Sequence, residues 1–447
     1  MKRRFIAAAL ALILSCSLFA GANETGYAAE NEKEVVSAYV EAEELRGLQA
    51  VDLNLNEQEF GVLYYTNSIR MGNGLQPLST FNALQAACDV RAQELVALFS
   101  HTRPNGTDCL TALQEQGISY LTAGENIAAG QTDAWEVINA WWNSPGHQAN
   151  MLSDYNHMGV GYYYGPGTSY THHWVQLFAG GCTTQSIRLP GLEGRILLMP
   201  AGSSFDTLGL AVEVQCDHGT SYLPLIDAMC SGYDKDAVNA IQDITISYNG
   251  CTTTLQIFSY PPMQFSDVTT SSWYYGYVEY VYALELMTGL NDTYFGAADP
   301  LARAQFAVIL HRMNGEPKVA YSPQFPDVAN GQWYTDAILW AADTGVVTGY
   351  SDTGNFGPGD KINREQMAVM MYRYAQAKGY DTSTKADFSR YQDASQVDGF
   401  AVEAMRWAVG TGIITGKDNG TRLDPRGNAN RAECATIINR FVTTCGV

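Results

Sequence analysis

Apolar side chains recur at helical spacing through the last third of the chain, and whole phrases recur with them. Across residues 333–344, Ala337, Trp340 and Ala341 stand at i, i+3 and i+4, which predicts a helix with one buried face. Gly345 reads as its stop. A stretch rich in Asp, Gly and Pro follows over 352–360, and Asn363 is the expected N-cap of a second apolar helix ending near Tyr374. Phe265-Ser266-Asp267-Val268 returns 60 residues later as Phe325-Pro326-Asp327-Val328, and Trp273-Tyr274 returns as Trp333-Tyr334. Met287-Thr288-Gly289 answers to Val347-Thr348-Gly349 and again to Ile414-Thr415-Gly416. Ala302-Arg303-Ala304-Gln305 matches Asn363-Arg364-Glu365-Gln366 and Asn430-Arg431-Ala432-Glu433. Three helix–loop–helix units are therefore expected, each burying its apolar face on its neighbours.

Upstream the period changes. Residues 186–189, 210–215, 244–248 and 252–258 are short β-rich runs, and Asn249-Gly250 between the last two is a two-residue hairpin signal. These runs predict a β-sandwich spacer over 184–262, closed by the stiff Pro261-Pro262 joint. Their order is similar to bacterial immunoglobulin-like domains. In 57–183 helices and strands mix. Asp133-Ala134-Trp135-Glu136 predicts a capping box opening a helix with Trp135, Ile138 and Trp142 on one face. Pro145 suits the first turn of the next helix, with Ser144 as its cap and so already engaged. Residues 159–164 and 174–179 read as strands.

At the start, Lys2, Arg3 and Arg4 precede an apolar run over 5–14 and the small residues Ala20-Gly21-Ala22. These are the parts of a secretory signal peptide, with cleavage there or nearer Ala28, and the run is too short to span a bilayer. The formal charge of -20 excludes phosphate-backbone binding by bulk electrostatics, so no nucleic-acid partner is expected. It also means that attachment to an anionic wall needs local, specific sites. Of nine cysteines, Cys16 lies in the leader. The rest are scattered and read mostly as small buried hydrophobes, and without a Cys-x-x-Cys pair a thiolate zinc site is not expected.

The densest chemistry lies in Ser100-His101-Thr102-Arg103-Pro104, Gly124-Glu125-Asn126-Ile127, Ser144-Pro145-Gly146-His147 and His173-Trp174-Val175-Gln176. Four such segments in this order resemble the CAP superfamily (cysteine-rich secretory, antigen 5 and pathogenesis-related proteins) in its bacterial form. The resemblance implies an α-β-α sandwich with two His and two Glu around a cleft. His101, Glu125 and His173 match three of those positions. Ser144 stands where the second Glu is expected, with His147 one turn away. His147 in the first turn of a helix is biased toward the neutral imidazole that binds metal. A cleft of His101, His147, His173 and Glu125 comes closer to a zinc ligand set than the family pattern does. No Gly-x-Ser-x-Gly elbow and no His-Glu-x-x-His occurs, so catalysis by His101, Glu125, His173 or Ser144 is the weaker expectation.

The repeats resemble S-layer homology (SLH) domains over about 264–443. That resemblance implies an all-α pseudo-threefold trefoil whose grooves bind secondary cell-wall polymer, a pyruvylated glycan. Arg303, Arg364 and Arg431 offer a forked donor for a pyruvyl carboxylate. Trp273 and Trp333 can stack on sugar faces, and Asp267, Asp327 and Asp393 can accept sugar hydroxyls. The third copy carries Gly399 and Phe400 where the Trp is expected, so one groove is expected to be weaker.

The expected plan is a multidomain α+β chain: signal peptide 1–28, acidic linker 29–56, CAP domain 57–183, Ig-like domain 184–262, and SLH motifs 263–320, 321–385 and 386–443. Its expected place is the wall or S-layer surface of a Gram-positive-type bacterium. Its expected role is to display a CAP domain binding a small-molecule or lipid ligand, or a metal such as zinc. The rivals are a wall- or peptide-directed hydrolase and a structural S-layer component.

Overall fold

The computed structural model describes residues 39–41, 55–205 and 210–445. The expected signal peptide and most of the acidic linker lie outside them. Strand β1 (Tyr39–Glu41) is followed by α1 (Glu57–Gly72), α2 (Asn82–Ala97), α3 (Thr111–Glu115), β2 (Thr122–Ala129), α4 (Ala134–Trp142), α5 (Pro145–Leu152), β3 (His157–Tyr164) and β4 (His172–Gly180). Strands β2, β4 and β3 form an antiparallel sheet in that order. On one face Val62 and Leu63 of α1 and Val137, Ile138 and Trp141 of α4 pack on Met158, Val160, Trp174 and Phe178. On the other, Leu84, Ala87, Cys88, Ala92 and Leu95 of α2 pack on Ile127, Val175 and Leu177. Those are the three layers of an α-β-α sandwich. Gly159 and Gly161 let α2 lie directly on β3: a Cβ at Gly159 would stand 2.6 Å from the Cys88 sulfur.

Two local expectations change here. Asp133 does cap α4 through the Glu136 amide, but Glu136 turns back to Thr132, so the box is not reciprocal. The buried stripe of α4 is Ala134, Val137, Ile138 and Trp141, while Trp135 is exposed and packs edge-on against Tyr65. Periodicity found the helix but placed its stripe on Trp135 and Trp142, because the adjacent Trp141 and Trp142 are equally apolar in sequence. Trp141 wins the interior since its indole N–H reaches the Ile127 carbonyl at 3.1 Å.

Next come β5 (Thr184–Arg188), β6 (Ile196–Pro200), β7 (Ala211–Cys216), β8 (Gly219–Pro224), β9 (Cys230–Ser231), β10 (Ala240–Tyr248) and β11 (Cys251–Tyr260). They form sheets β1-β6-β11-β10-β9 and β5-β7-β8 around one core that includes Leu197, Val212, Val214, Leu223, Ile244, Ile246 and Ile257. The β10–β11 hairpin turns at Asn249 (φ 47°) and Gly250 (φ 77°), both left-handed as such a two-residue turn requires. β6 pairs parallel to both β1 and β11.

The repeats supply α6 (Tyr275–Ala283), α7 (Arg303–Met313), α8 (Thr335–Asp343), α9 (Arg364–Lys378), α10 (Val402–Gly410) and α11 (Arg431–Cys445). Asn363 caps α9 in a full capping box with Gln366. Contacts close into a ring: α7 packs on α8, α9 on α10, and α11 back on α6. Among the described residues no helix is long and apolar enough to cross a membrane.

Candidate functional site

Glu125 sits on the α2 face of β2 and is buried. Its Oε1 accepts from Arg91 Nε at 2.8 Å, and its Oε2 is bonded to His101 Nδ1 at 2.7 Å. Arg91 is fully buried on α2 and also donates to Glu94 Oε2 at 2.7 Å and the Ser100 carbonyl at 2.9 Å. The loop after α2 thus hangs from one guanidinium, and it carries His101 outward, its side chain 57% exposed. Among the described residues His101 Nε2 has no hydrogen-bond partner. The Cys109 sulfur lies within 4.8 Å of the His101 and Glu125 ligand atoms, and burial, with the Glu125 charge, pushes its thiol up to about 12. Burial, and after it the proximity of His101, lowers the His147 pKa.

The four-ligand set of His101, His147, His173 and Glu125 does not assemble. Glu125 pairs with Leu177, whereas His173 pairs with Ala129, four residues away along each strand. At about 3.4 Å per residue that is roughly 13 Å. His173 is buried instead among Tyr163 and Tyr170, its Nδ1 without a hydrogen-bond partner among the described residues, and burial lowers its pKa. The grouping followed from the family resemblance; strand register separates Glu125 from His173. Arg91 already neutralises Glu125, which weakens that carboxylate as a cation ligand. Ser144 precedes α5 in extended conformation but makes no side-chain capping bond, so it is not engaged as expected. Cys109, third member of the cluster actually formed, carried no signal beyond its apolar surroundings.

In the repeats each motif Asp nails down a loop of its own unit. Asp267 accepts from the amides of Phe295, Gly296 and Ala297, Asp327 from Phe356 and Gly357, and Asp393 from Leu423 and Asp424. The motif arginines reach into the next unit. Arg303 Nε donates to the Phe356 carbonyl at 2.9 Å, Arg364 Nε to Leu423 at 2.9 Å, and Arg431 Nε back to Phe295 at 2.8 Å. Backbone bonds repeat the cycle from Arg303 to Asp360, Arg364 to Gly427 and Arg431 to Asp299.

All three guanidinium groups are buried, and burial lowers their pKa. None forms an ion pair with a carboxylate among the described residues. Arg431 spends one Nη on the Thr288 carbonyl; the Nη groups of Arg303 and Arg364 bond no protein acceptor among the described residues. Arg303 also stacks 4.6 Å from the Tyr350 ring centre. Beside it a groove of about 480 Å³ is lined by Asp327, Tyr350, Asp352, Asn355 and Asp360. Trp273, Trp333 and Phe400 are exposed by 64%, 65% and 60%, so the third unit presents an aromatic after all.

Comparison with known proteins agrees with this division. The cysteine-rich secretory protein family profile (CAP) matches residues 63–178, and the S-layer homology domain profile matches 264–307, 324–368 and 390–435. The chain is 33% identical over 178 residues to an endoglucanase of Bacillus sp. strain KSM-635, covering 40% of this chain and 18% of that protein. It is 33% identical over 159 residues to the uncharacterised protein YkwD of Bacillus subtilis strain 168, covering 35% of this chain and 60% of that one. It is 29% identical over 150 residues to a surface-layer 125 kDa protein of Lysinibacillus sphaericus, covering 33% and 12%. The chain spans only 10–18% of the length of the first curated relatives it matches. It therefore carries one CAP domain and three SLH motifs, and the motifs place it at the cell surface, on the wall.

Proposed function

We propose that this chain is an exported protein held non-covalently on a secondary wall polymer by residues 263–443, displaying a CAP domain (57–183) beyond an Ig-like spacer (184–262). Residues 1–28 would be its export leader. The observation that carries the anchoring is the pair of buried arginines, Arg303 and Arg364, whose Nη groups bond no protein acceptor among the described residues. A buried cation whose nearest carboxylates stand beyond ion-pair distance is costly, and an anionic ligand in direct contact relieves that cost. The Nε bond to the neighbouring unit fixes the plane of the fork, which suits a pyruvyl carboxylate. Exposed Trp273 and Trp333 supply flat faces for sugar rings. The Asp267, Asp327 and Asp393 carboxylates hold the loops that shape the grooves, a positioning role in place of the sugar contacts expected of them. The ring of contacts fits a pseudo-threefold trefoil. The test is retention of the full chain on purified sacculi before and after the secondary polymer is stripped. Retention on intact walls only is expected, and equal retention on stripped walls would sink the idea.

For the CAP domain the reading is a binding cleft rather than an active site. Glu125 orients His101 as a carboxylate orients a general base, which is the one observation favouring a wall- or peptide-directed hydrolase. Yet His101 bonds no hydroxyl or thiol nucleophile among the described residues. Turnover of a peptide, ester or peptidoglycan substrate, abolished in a folded H101A variant, would decide for the hydrolase.

A further inference from the structure

Where the CAP sheet meets the spacer, a second cluster stands apart from the Glu125 cleft. His157 opens β3, Cys182 follows β4, and Cys216 ends β7 in the neighbouring sandwich. One ligand atom from each lies within 4.8 Å of the others. His157 is 7% exposed, and its two ring nitrogens are both committed. Nδ1 is 2.8 Å from Ser79 Oγ, and Nε2 is 3.1 Å from Cys182 Sγ. Ser79 Oγ also lies 3.3 Å from the Asn156 carbonyl, a bond in which only the hydroxyl can donate. Ser221 Oγ is a third neighbour at 2.9 Å, and the tautomer a metal selects is the one with the ring proton on Nδ1, donated to Ser79 Oγ. The lone pair of Nε2 then points at the two sulfurs.

We infer that His157, Cys182 and Cys216 form a soft-metal site, of the zinc class, joining the CAP domain to the β-sandwich. An imidazole bound through Nε2, with Nδ1–H held by a second oxygen, is how protein zinc sites orient histidine. Zn–S bonds of about 2.3 Å and Zn–N bonds of about 2.0–2.1 Å require ligand atoms roughly 3.4–3.8 Å apart, where Nε2 and Cys182 Sγ stand 3.1 Å apart and all three ligand atoms lie within 4.8 Å of one another. Binding takes Zn²⁺, releases the two thiol protons, and leaves two thiolates and a neutral imidazole on the metal. A Cys182–Cys216 disulfide is the competing chemistry. With the ring proton on Nδ1, it would remove the thiol proton that faces Nε2 and leave a buried ring nitrogen unpaired, at a cost the metal avoids. The seam is otherwise continuous: Ser79 bonds Ser221 at 2.9 Å, and Thr80 bridges Tyr222 of β8. Metal there would lock two modules whose ligands are far apart in sequence.

The test uses the full chain, purified under reducing conditions, stripped of metal and titrated with zinc against a chromophoric chelator. One zinc per chain is expected for the parent and for H101A, with affinity falling at least about a hundredfold in C216S and C182S. Cobalt in place of zinc should give a thiolate charge-transfer band in the parent, a readout that needs no variant to fold. No zinc uptake by the reduced parent, or a cobalt band surviving in C216S, overturns the proposal. So does an air-purified chain whose Cys182 and Cys216 peptides are quantitatively crosslinked and whose reduced form binds no metal.

Discussion

Two sets of buried arginines divide this molecule. In the CAP domain Arg91 is wholly enclosed, and its charge is met by Glu125 and Glu94 at 2.8 and 2.7 Å. In the repeats Arg303 and Arg364 are as deeply placed, but each meets only a backbone carbonyl and nearby aromatic or acidic groups beyond ion-pair distance. The first is a closed account that holds a loop against a helix. The second leaves donors waiting for something from outside. Burial alone therefore does not say whether an arginine is architecture or a binding group; the partner list does.

The largest effect should come from breaking the closed set. Arg91→Ala leaves Glu125 buried with only the His101 contact on its other oxygen, and should lower the stability of the CAP domain by about 3–5 kcal/mol in urea unfolding. Arg364→Ala loses one bond to a carbonyl and should cost about 1 kcal/mol in the same measurement. A larger loss for Arg364 than for Arg91 would erase the contrast. Wall binding should show the reverse order. Arg364→Ala should weaken polymer affinity by about ten- to a hundredfold, the worth of a charge-assisted bond. Arg91→Ala should leave wall binding unchanged wherever the chain still folds. Third in size, Trp273→Ala and Trp333→Ala should each weaken binding about tenfold, while changing stability by no more than about 0.5 kcal/mol because the rings are exposed. A fall in melting temperature matching the fall in affinity would make them structural.

The smallest effect is a pH dependence inside the repeats. His311 is buried against Trp340, donates Nε2–H to the Pro317 carbonyl, and has its pKa lowered chiefly by burial. Pro317, Glu316 and Asp336 act to raise it and Lys318 to lower it. A base depressed in the folded state adds stability above its ordinary pKa, and that stability is lost as pH falls below it. The repeats should melt at lower temperature as pH drops from about 7.5 to 5.5, passing the ordinary histidine value near 6.5. His311→Asn should flatten that slope.

The repeats were legible because three copies print the same phrase. The Asn363 cap, the helix over 333–344 and the Asn249-Gly250 turn all follow from local chemistry that sequence displays directly. The CAP cleft was legible at His101 and Glu125 but not at His173, because membership depended on how far along β4 the residue falls. Arg91 and Cys109 escaped notice since neither sits in a motif; only the folded α2 and its following loop bring them to Glu125. His157, Cys182 and Cys216 were invisible for a related reason. A thiolate site was set aside for want of a Cys-x-x-Cys pair, yet ligands from β3, from the segment after β4 and from β7 need no local spacing at all. Even the role of the motif aspartates turned on backbone amides some 30 residues downstream, which no side-chain pattern reveals.

The most direct test of the anchoring account pairs a change in the protein with a change in the polymer. Affinity for wall polymer is measured for the parent and for Arg364→Lys, each against polymer with and without its pyruvyl groups. If the Arg364 fork grips the carboxylate, each change alone weakens binding, and the two together cost little more than either one. Fully additive losses would mean that Arg364 and the pyruvyl group never meet.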